Sequence, residues 1–111
     1  AAAYGGSATI TWQSNTVITF NDLALTEQML PSLEASAGKD NVYLVKATTG
    51  GEDFSYFQEV VPGFYFFLGG MTPGNKESFP HHTPDFLIDD SSMLLGVKVF
   101  CQLTMDYLNA N

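Results

Sequence analysis

Gly50-Gly51-Glu52-Asp53-Phe54-Ser55-Tyr56-Phe57-Gln58-Glu59-Val60-Val61-Pro62-Gly63-Phe64-Tyr65-Phe66-Phe67-Leu68-Gly69 is the stretch whose reading decides the fold. The paired glycines make a turn, and the two acids after them suit a helix N-terminus, where free amides and the helix dipole favour negative charge. Phe54, Phe57 and Val60 then recur every three residues, as on one face of a short helix. Pro62-Gly63 ends it. The apolar run 64–68 predicts a strand buried on both faces, the habit of parallel sheets.

The flanking sequence repeats this alternation. Upstream, residues 7–13 alternate, with Ala8, Ile10 and Trp12 on one face and Ser7, Thr9, Thr11 and Gln13 on the other, as in a half-buried strand. Ser14 and Asn15 break that pattern. A β-branched stretch, 16–20, leads to Asn21-Asp22, either of which can cap a helix. That helix is expected to run through Leu23, Leu25, Met29, Leu30 and Leu33 to a stop at Gly38, with a kink or a restarted turn at Pro31. Residues 42–45 form another short apolar run of strand type. Downstream, 69–80 is loop-like, with Gly70, Pro73, Gly74 and Asn75 as turn residues, and Pro80 and Pro84 stiffen the next segment. Asp89, Asp90, Ser91 and Ser92 supply acids and caps for a last helix. Its apolar positions Leu94, Val97, Phe100, Cys101, Thr104, Tyr107 and Leu108 step by three and four. Strands alternating with helices predict an α/β fold with a mixed, mostly parallel sheet.

Composition narrows the function. The 111 residues are 45% hydrophobic, enough for a core, but only 14% charged. Ordinary soluble domains carry about 25% charged residues, so the shortfall predicts a surface that lies against other protein. Twelve acids against four bases leave a formal charge of -8. Such a chain has no basic footprint for phosphates and is repelled by anionic lipid, which argues against nucleic-acid and membrane partners. No apolar run approaches the roughly 20 residues needed to cross a bilayer. Cys101, the only cysteine, cannot form a disulfide within the chain, and its apolar helical setting predicts a buried structural thiol. The start, Ala1-Ala2-Ala3-Tyr4-Gly5-Gly6, lacks an initiator Met and a basic n-region; it reads as the last turn of a helix capped by Gly5 or Gly6, beginning in mid-architecture.

Two segments could carry chemistry. His81-His82 lies between a predicted strand and a capped helix, in the frame Pro80-His81-His82-Thr83-Pro84-Asp85-Phe86. Paired surface histidines commonly bind nothing. Flanking prolines favour function, because a metal ligand is best aimed before the ion arrives. Adjacent side chains point in different directions, so at most one of the pair is expected to be the ligand. The second segment is Gly50-Gly51-Glu52-Asp53, where glycines let the backbone approach a ligand closely. Its bland reading is a tight turn with one acid as helix cap. Nucleotide motifs and Ser or Cys nucleophile motifs are missing, and the aromatic run 64–67 is expected to be core.

The order of these pieces resembles one family. Asn21-Asp22, a helix ending at Gly38, Gly-Gly-Glu-Asp-Phe-Ser, Pro-Gly-Phe-Tyr-Phe-Phe-Leu-Gly, His-x-Pro-x-Phe and a final amphipathic helix look like the C-terminal third of the amidohydrolase branch of the dinuclear metallopeptidases. That branch includes hippurate hydrolase, N-acyl-amino-acid amidohydrolases and auxin-conjugate hydrolases. The resemblance covers nearly the whole chain. It implies a three-layer α/β catalytic domain interrupted by an α+β lid or dimerisation domain. Residues 1–14 would be the tail of the lid, with its last strand, and 15–111 the C-terminal part of the catalytic domain.

Carried over by position, the family's C-terminal metal-binding histidine falls on His82, two residues before Pro84. His81 is unassigned, as a bystander or substrate contact. Glu52 and Asp53 match an acidic pair with a supporting or substrate-contacting role, Gly50 and Gly51 the turn near the substrate, and Asn21 a structural Asn. The resemblance further implies two divalent ions, zinc or manganese, an N-acyl amino acid or small peptide as substrate, and a homodimer formed through the lid. The remaining ligands and the general-base Glu belong to segments of the same enzyme N-terminal to this chain, so the 111 residues alone are expected to be inactive. The competing reading is a truncated or degenerate relative that survives as a binding or dimerisation module. With no partner for the strand at 7–13, the isolated chain is also expected to aggregate through a bare sheet edge.

Overall fold

Asp22 starts the first long element of the computed structural model, which describes residues 1–13, 16–75 and 77–111. Its carboxylate accepts from the Leu25 N–H at 2.8 Å, satisfying an amide that a helix start would otherwise leave open. Helix α1 (Leu23–Ala37) follows and ends at Gly38, whose φ of 87° is in the glycine-favouring region and whose N–H donates to the Glu34 carbonyl. Pro31 does not restart it: one helix runs through. Helix α2 is a short segment, Phe54–Gln58. Helix α3 (Ser91–Ala110) begins beside Asp89, whose carboxylate accepts from the Ser91 N–H at 2.8 Å. The opening turn is a 3-10 turn over Ala2–Tyr4, closed by Gly5 at a φ of 70°.

The α/β expectation is overturned. Among the described residues there is no strand and no sheet. The segments read as strands, 7–13, 42–45 and 64–68, do not form strands, and the predicted last strand of a lid at 7–13 is absent with them. The predicted break at Ser14 and Asn15 lies outside the described residues. The physical reason is that alternation and apolar runs report which side chains want burial, whereas a strand exists only when another strand takes its N–H and C=O groups. Here side chains take some of them. Gln58 brackets Phe20, accepting from its N–H at 3.0 Å and donating to its carbonyl at 2.9 Å. Asn21 brackets Tyr65 in the same way, both bonds at 2.8 Å. One backbone bond, Asp22 N–H to the Gly63 carbonyl at 2.9 Å, joins the two segments directly. Gly63 is buried, and a Cβ there would meet Gln58 Cγ at 2.5 Å, so a larger residue would displace the amide that holds Phe20.

The packed centre is the contact of α1 with α3. Met29, Ser32, Leu33 and Ser36 are buried on α1, and Gly96 and Val99 on α3. Ser32 of α1 bonds the Asp106 carboxylate of α3 across this contact. A Cβ on Gly96 would come within 2.9 Å of Leu68 Cδ2, so α3 also packs on the segment after α2. Phe66 and Phe100 extend this contact with rings 5.5 Å apart. The apolar stripe predicted for α3 is not the stripe it buries. Leu94 is 77% exposed and Val97 61% exposed, and Cys101 is an exposed free thiol, not a buried one. Ser92, Leu95, Gly96, Val99, Leu103 and Asp106 form the covered face instead.

Candidate functional site

The segment 50–53 is anchored at its far end by hydrogen bonds that converge on Glu52, just before α2; none of those bonds is to Gly50 or Gly51. Glu52 Oε1 accepts from the Phe54 N–H at 3.2 Å, and its Oε2 from the Tyr65 hydroxyl at 3.0 Å. Its carbonyl accepts from the Ser55 hydroxyl at 2.7 Å and the Ser55 N–H at 3.2 Å. Ser55 is fully buried, so these bonds lie beneath the turn. Glu52 is half-buried and Asp53 exposed. The glycines differ: a Cβ on Gly51 would meet Thr16 Oγ1 at 3.3 Å, whereas Gly50 faces open space. One side of the turn is thus backed by the chain and the other is open.

These bonds set the electrostatics. The Phe54 N–H, then the Tyr65 hydroxyl and the Asp53 side chain, hold the Glu52 carboxyl below its ordinary 4.5. Burial, then the bond to Glu52 and the nearby acidic charges, pushes Tyr65 above its ordinary 10.0. A depressed acid stabilises the fold above 4.5, and this contribution is lost as pH falls through the lower folded value. A raised phenol stabilises below 10.0, and its contribution is lost as pH rises through the higher folded value. The stability difference between the full-length protein and its Tyr65→Phe variant is therefore expected to be widest near neutral pH and to narrow at both ends. Denaturant melts from acid to alkaline pH check this.

His81 and His82 sit on an exposed turn after Pro80. The Thr83 hydroxyl donates to the Pro80 carbonyl at 2.8 Å, and the Phe86 N–H donates to the Thr83 carbonyl at 3.2 Å. His82 has a φ of 66°, the only described non-glycine residue with a positive φ. For an L-residue this region costs roughly 1–2 kcal/mol. The imidazole of His81 packs edgewise on Phe86 at 4.7 Å, and the two imidazoles stand 6.4 Å apart with planes at 74°.

The structure does not unite the two segments. Among the described residues no three His, Cys, Asp or Glu side chains come together so as to hold a metal ion. An exposed imidazole suits one coordination position of a zinc-type ion, but one ligand does not make a site. Two clefts, of about 210 and 100 Å³, lie elsewhere; neither is lined by the glycine turn or the histidines. Among the described residues no helix is long and apolar enough to cross a membrane. Two residues of this region were not singled out from sequence, Tyr65 and Gln58. For Tyr65 a signal existed: a hydroxyl inside an all-apolar run needs a partner. For Gln58 there was none.

Comparison with known proteins fixes the class. The model of peptidase family M20/M25/M40 matches residues 6–106, and the chain belongs to that family. It is 27% identical over 109 residues to an uncharacterized hydrolase of Sinorhizobium fredii, covering 98% of this chain and 27% of the relative. It is 31% identical over 107 residues to an N-acetylcysteine deacetylase of Bacillus subtilis, covering 95% and 26%. It is 29% identical over 72 residues to an IAA-amino acid hydrolase of Arabidopsis thaliana, covering 65% and 16%. The chain spans about a quarter of the length of the first of these relatives. No solved structure matches it.

Proposed function

We propose that this chain supplies the C-terminal part of the active site of a metal-dependent amidohydrolase that cleaves N-acyl amino acids or small peptides. The supporting observation is the family match over residues 6–106, which takes in both the glycine turn and the histidine loop. Two of the relatives are named for removing an acyl group from an amino acid or an amino acid from a conjugate. In this reading residues 1–14 belong to a lid domain through which the enzyme dimerises, and 15–111 to the catalytic domain.

His82 would hold one of two divalent ions, zinc or manganese, and such ions, when bound, would supply Lewis-acid polarisation of the scissile carbonyl and of a water. The left-handed backbone at His82 is the feature this role explains, since local strain persists where a side chain must be aimed. Pro80 and the Thr83 hydroxyl fix the turn that carries the imidazole. Gly50 and Gly51 let backbone lie against the substrate, Glu52 and Asp53 support that turn, and His81, braced on Phe86, stands beside the ligand. The proton-shuttling Glu and the other ligands come from the rest of the enzyme.

A panel of N-acyl amino acids and dipeptides tests the reading with the full-length enzyme. Hydrolysis of acylated amino acids, lost on chelation and restored by zinc or manganese, is the expected result. A protein that binds such compounds without cleaving any of them contradicts it.

A further inference from the structure

Tyr65 joins three segments that are distant in sequence. Its N–H donates to Asn21 Oδ1 and its carbonyl accepts from Asn21 Nδ2, both at 2.8 Å. Its hydroxyl donates to Glu52 Oε2 at 3.0 Å, while Glu52 Oε1 accepts from the Phe54 N–H at 3.2 Å. Each carboxylate oxygen of Glu52 already receives a donor from the chain. Each oxygen keeps a second lone pair, and what the two bonds do is tie residue 52 to the start of α2 and to Tyr65.

Resting on the proposed function, we infer that Asn21 and Tyr65 are positioning residues which act through Glu52 to anchor the chain where it leaves Gly50-Gly51, and so hold that segment against the substrate. Glu52 contributes its geometry to that segment, not a charge to the reaction. The asymmetry of the turn agrees with this. Gly51 is backed by Thr16, with 3.3 Å available for a Cβ, while Gly50 opens onto space where an acylated substrate can lie against bare backbone. Asn21 matters because its two bonds hold Tyr65 by both backbone groups. A side-chain amide does this with fixed geometry, so the phenol above it has one place to go. Substrate pressed against a rigid turn binds more tightly, because the turn has already lost its freedom.

Kinetics of the full-length enzyme test the inference. Glu52→Ala and Tyr65→Phe are each expected to raise KM by about three- to tenfold, with kcat and metal content nearly unchanged, the pattern of lost uniform binding. Glu52→Gln keeps an acceptor oxygen and should recover most of the wild-type KM. The double variant Tyr65→Phe with Glu52→Ala should be no worse than Glu52→Ala alone, since both break one linkage. A Glu52→Gln variant as impaired as Glu52→Ala, with kcat or bound metal reduced, would show a charge or ligand role and overturn the inference. Additive effects in the double variant would also overturn it. If the wild-type enzyme cleaves no acylated amino acid, the functional reading fails by itself, and amide exchange then decides this one. Exchange at Phe54 should speed up more than about tenfold in Glu52→Ala but not in Gln102→Ala, whose bonds to Asp106 lie on exposed α3. Unchanged exchange at Phe54 overturns it.

Discussion

If the proposed function holds, His82→Ala in the full-length protein is expected to remove most hydrolysis, by at least about 100-fold, and to release about one metal equivalent. Loss of a partner behind a ligand costs about 10–100-fold in affinity or activity, and loss of the ligand itself costs no less. The backbone at this residue permits a sharper experiment than the alanine variant alone. His82 has a φ of 66°, where only glycine sits without penalty. His82→Gly therefore removes the imidazole and relieves the backbone together. If the residue matters for turn shape, His82→Gly retains activity while His82→Ala loses it. If it matters as a ligand, both lose activity and metal alike, and the glycine variant is the more stable protein. His81→Ala removes only a ring braced on Phe86 at 4.7 Å, and its effect should stay within about tenfold with metal content intact. Steady-state kinetics and metal analysis of the three variants separate these cases, and full activity in both His82 variants would sink the assignment.

How far the sequence could be read depended on the range of the interactions involved. Caps and stops are local, and they came through: Asp22 starts α1, Gly38 ends it, and the acids and serines at 89–92 open α3. The segments predicted as strands were a different matter. Val42 does have an extended backbone, yet a strand needs a neighbour, and alternation cannot say whether one is present within the same chain. The α3 stripe failed for a related reason. Apolar residues occupy more than half its circumference, so periodicity alone could not say which side is covered; Gly96 lies against Leu68, and Asp106 bonds Ser32 of α1. At the candidate site Glu52 and the glycines were legible as a turn, and Asn21 as structural. Tyr65 was read as core, because its hydroxyl bond reaches back 13 residues and its backbone bonds 44. Tertiary pairings of that kind leave no periodic trace.

The second large effect concerns the 111 residues by themselves, which are expected not to fold into a compact cooperative monomer. A globular protein of 12.1 kDa exposes about 6,000 Å² of surface. This chain exposes 9568 Å². The radius of gyration, 19.3 Å, also exceeds the roughly 13 Å of a compact domain of this length. The surplus, roughly 3,500 Å², is several times the about 800 Å² that one partner buries in an ordinary interface. It is therefore core area, not docking area. Among the described residues only Met29, Leu33 and Val99 are buried apolar side chains, while Trp12 is 91% and Leu44 99% exposed. Burial on that scale cannot offset the backbone entropy of ordering the chain, about 1–2 kcal/mol per residue. Helices α1 and α3 would fray without further cover, as isolated helices do. Aggregation is still expected of the isolated chain, but its cause shifts from a bare sheet edge to this apolar surface, including the outer face of α3. Sedimentation should show association, thermal melting should be broad, and co-expression with the rest of the enzyme should restore a soluble, cooperatively melting complex. A monomer with a sharp two-state melt would contradict the surface argument directly, because no rearrangement short of a new core could hide so much apolar area.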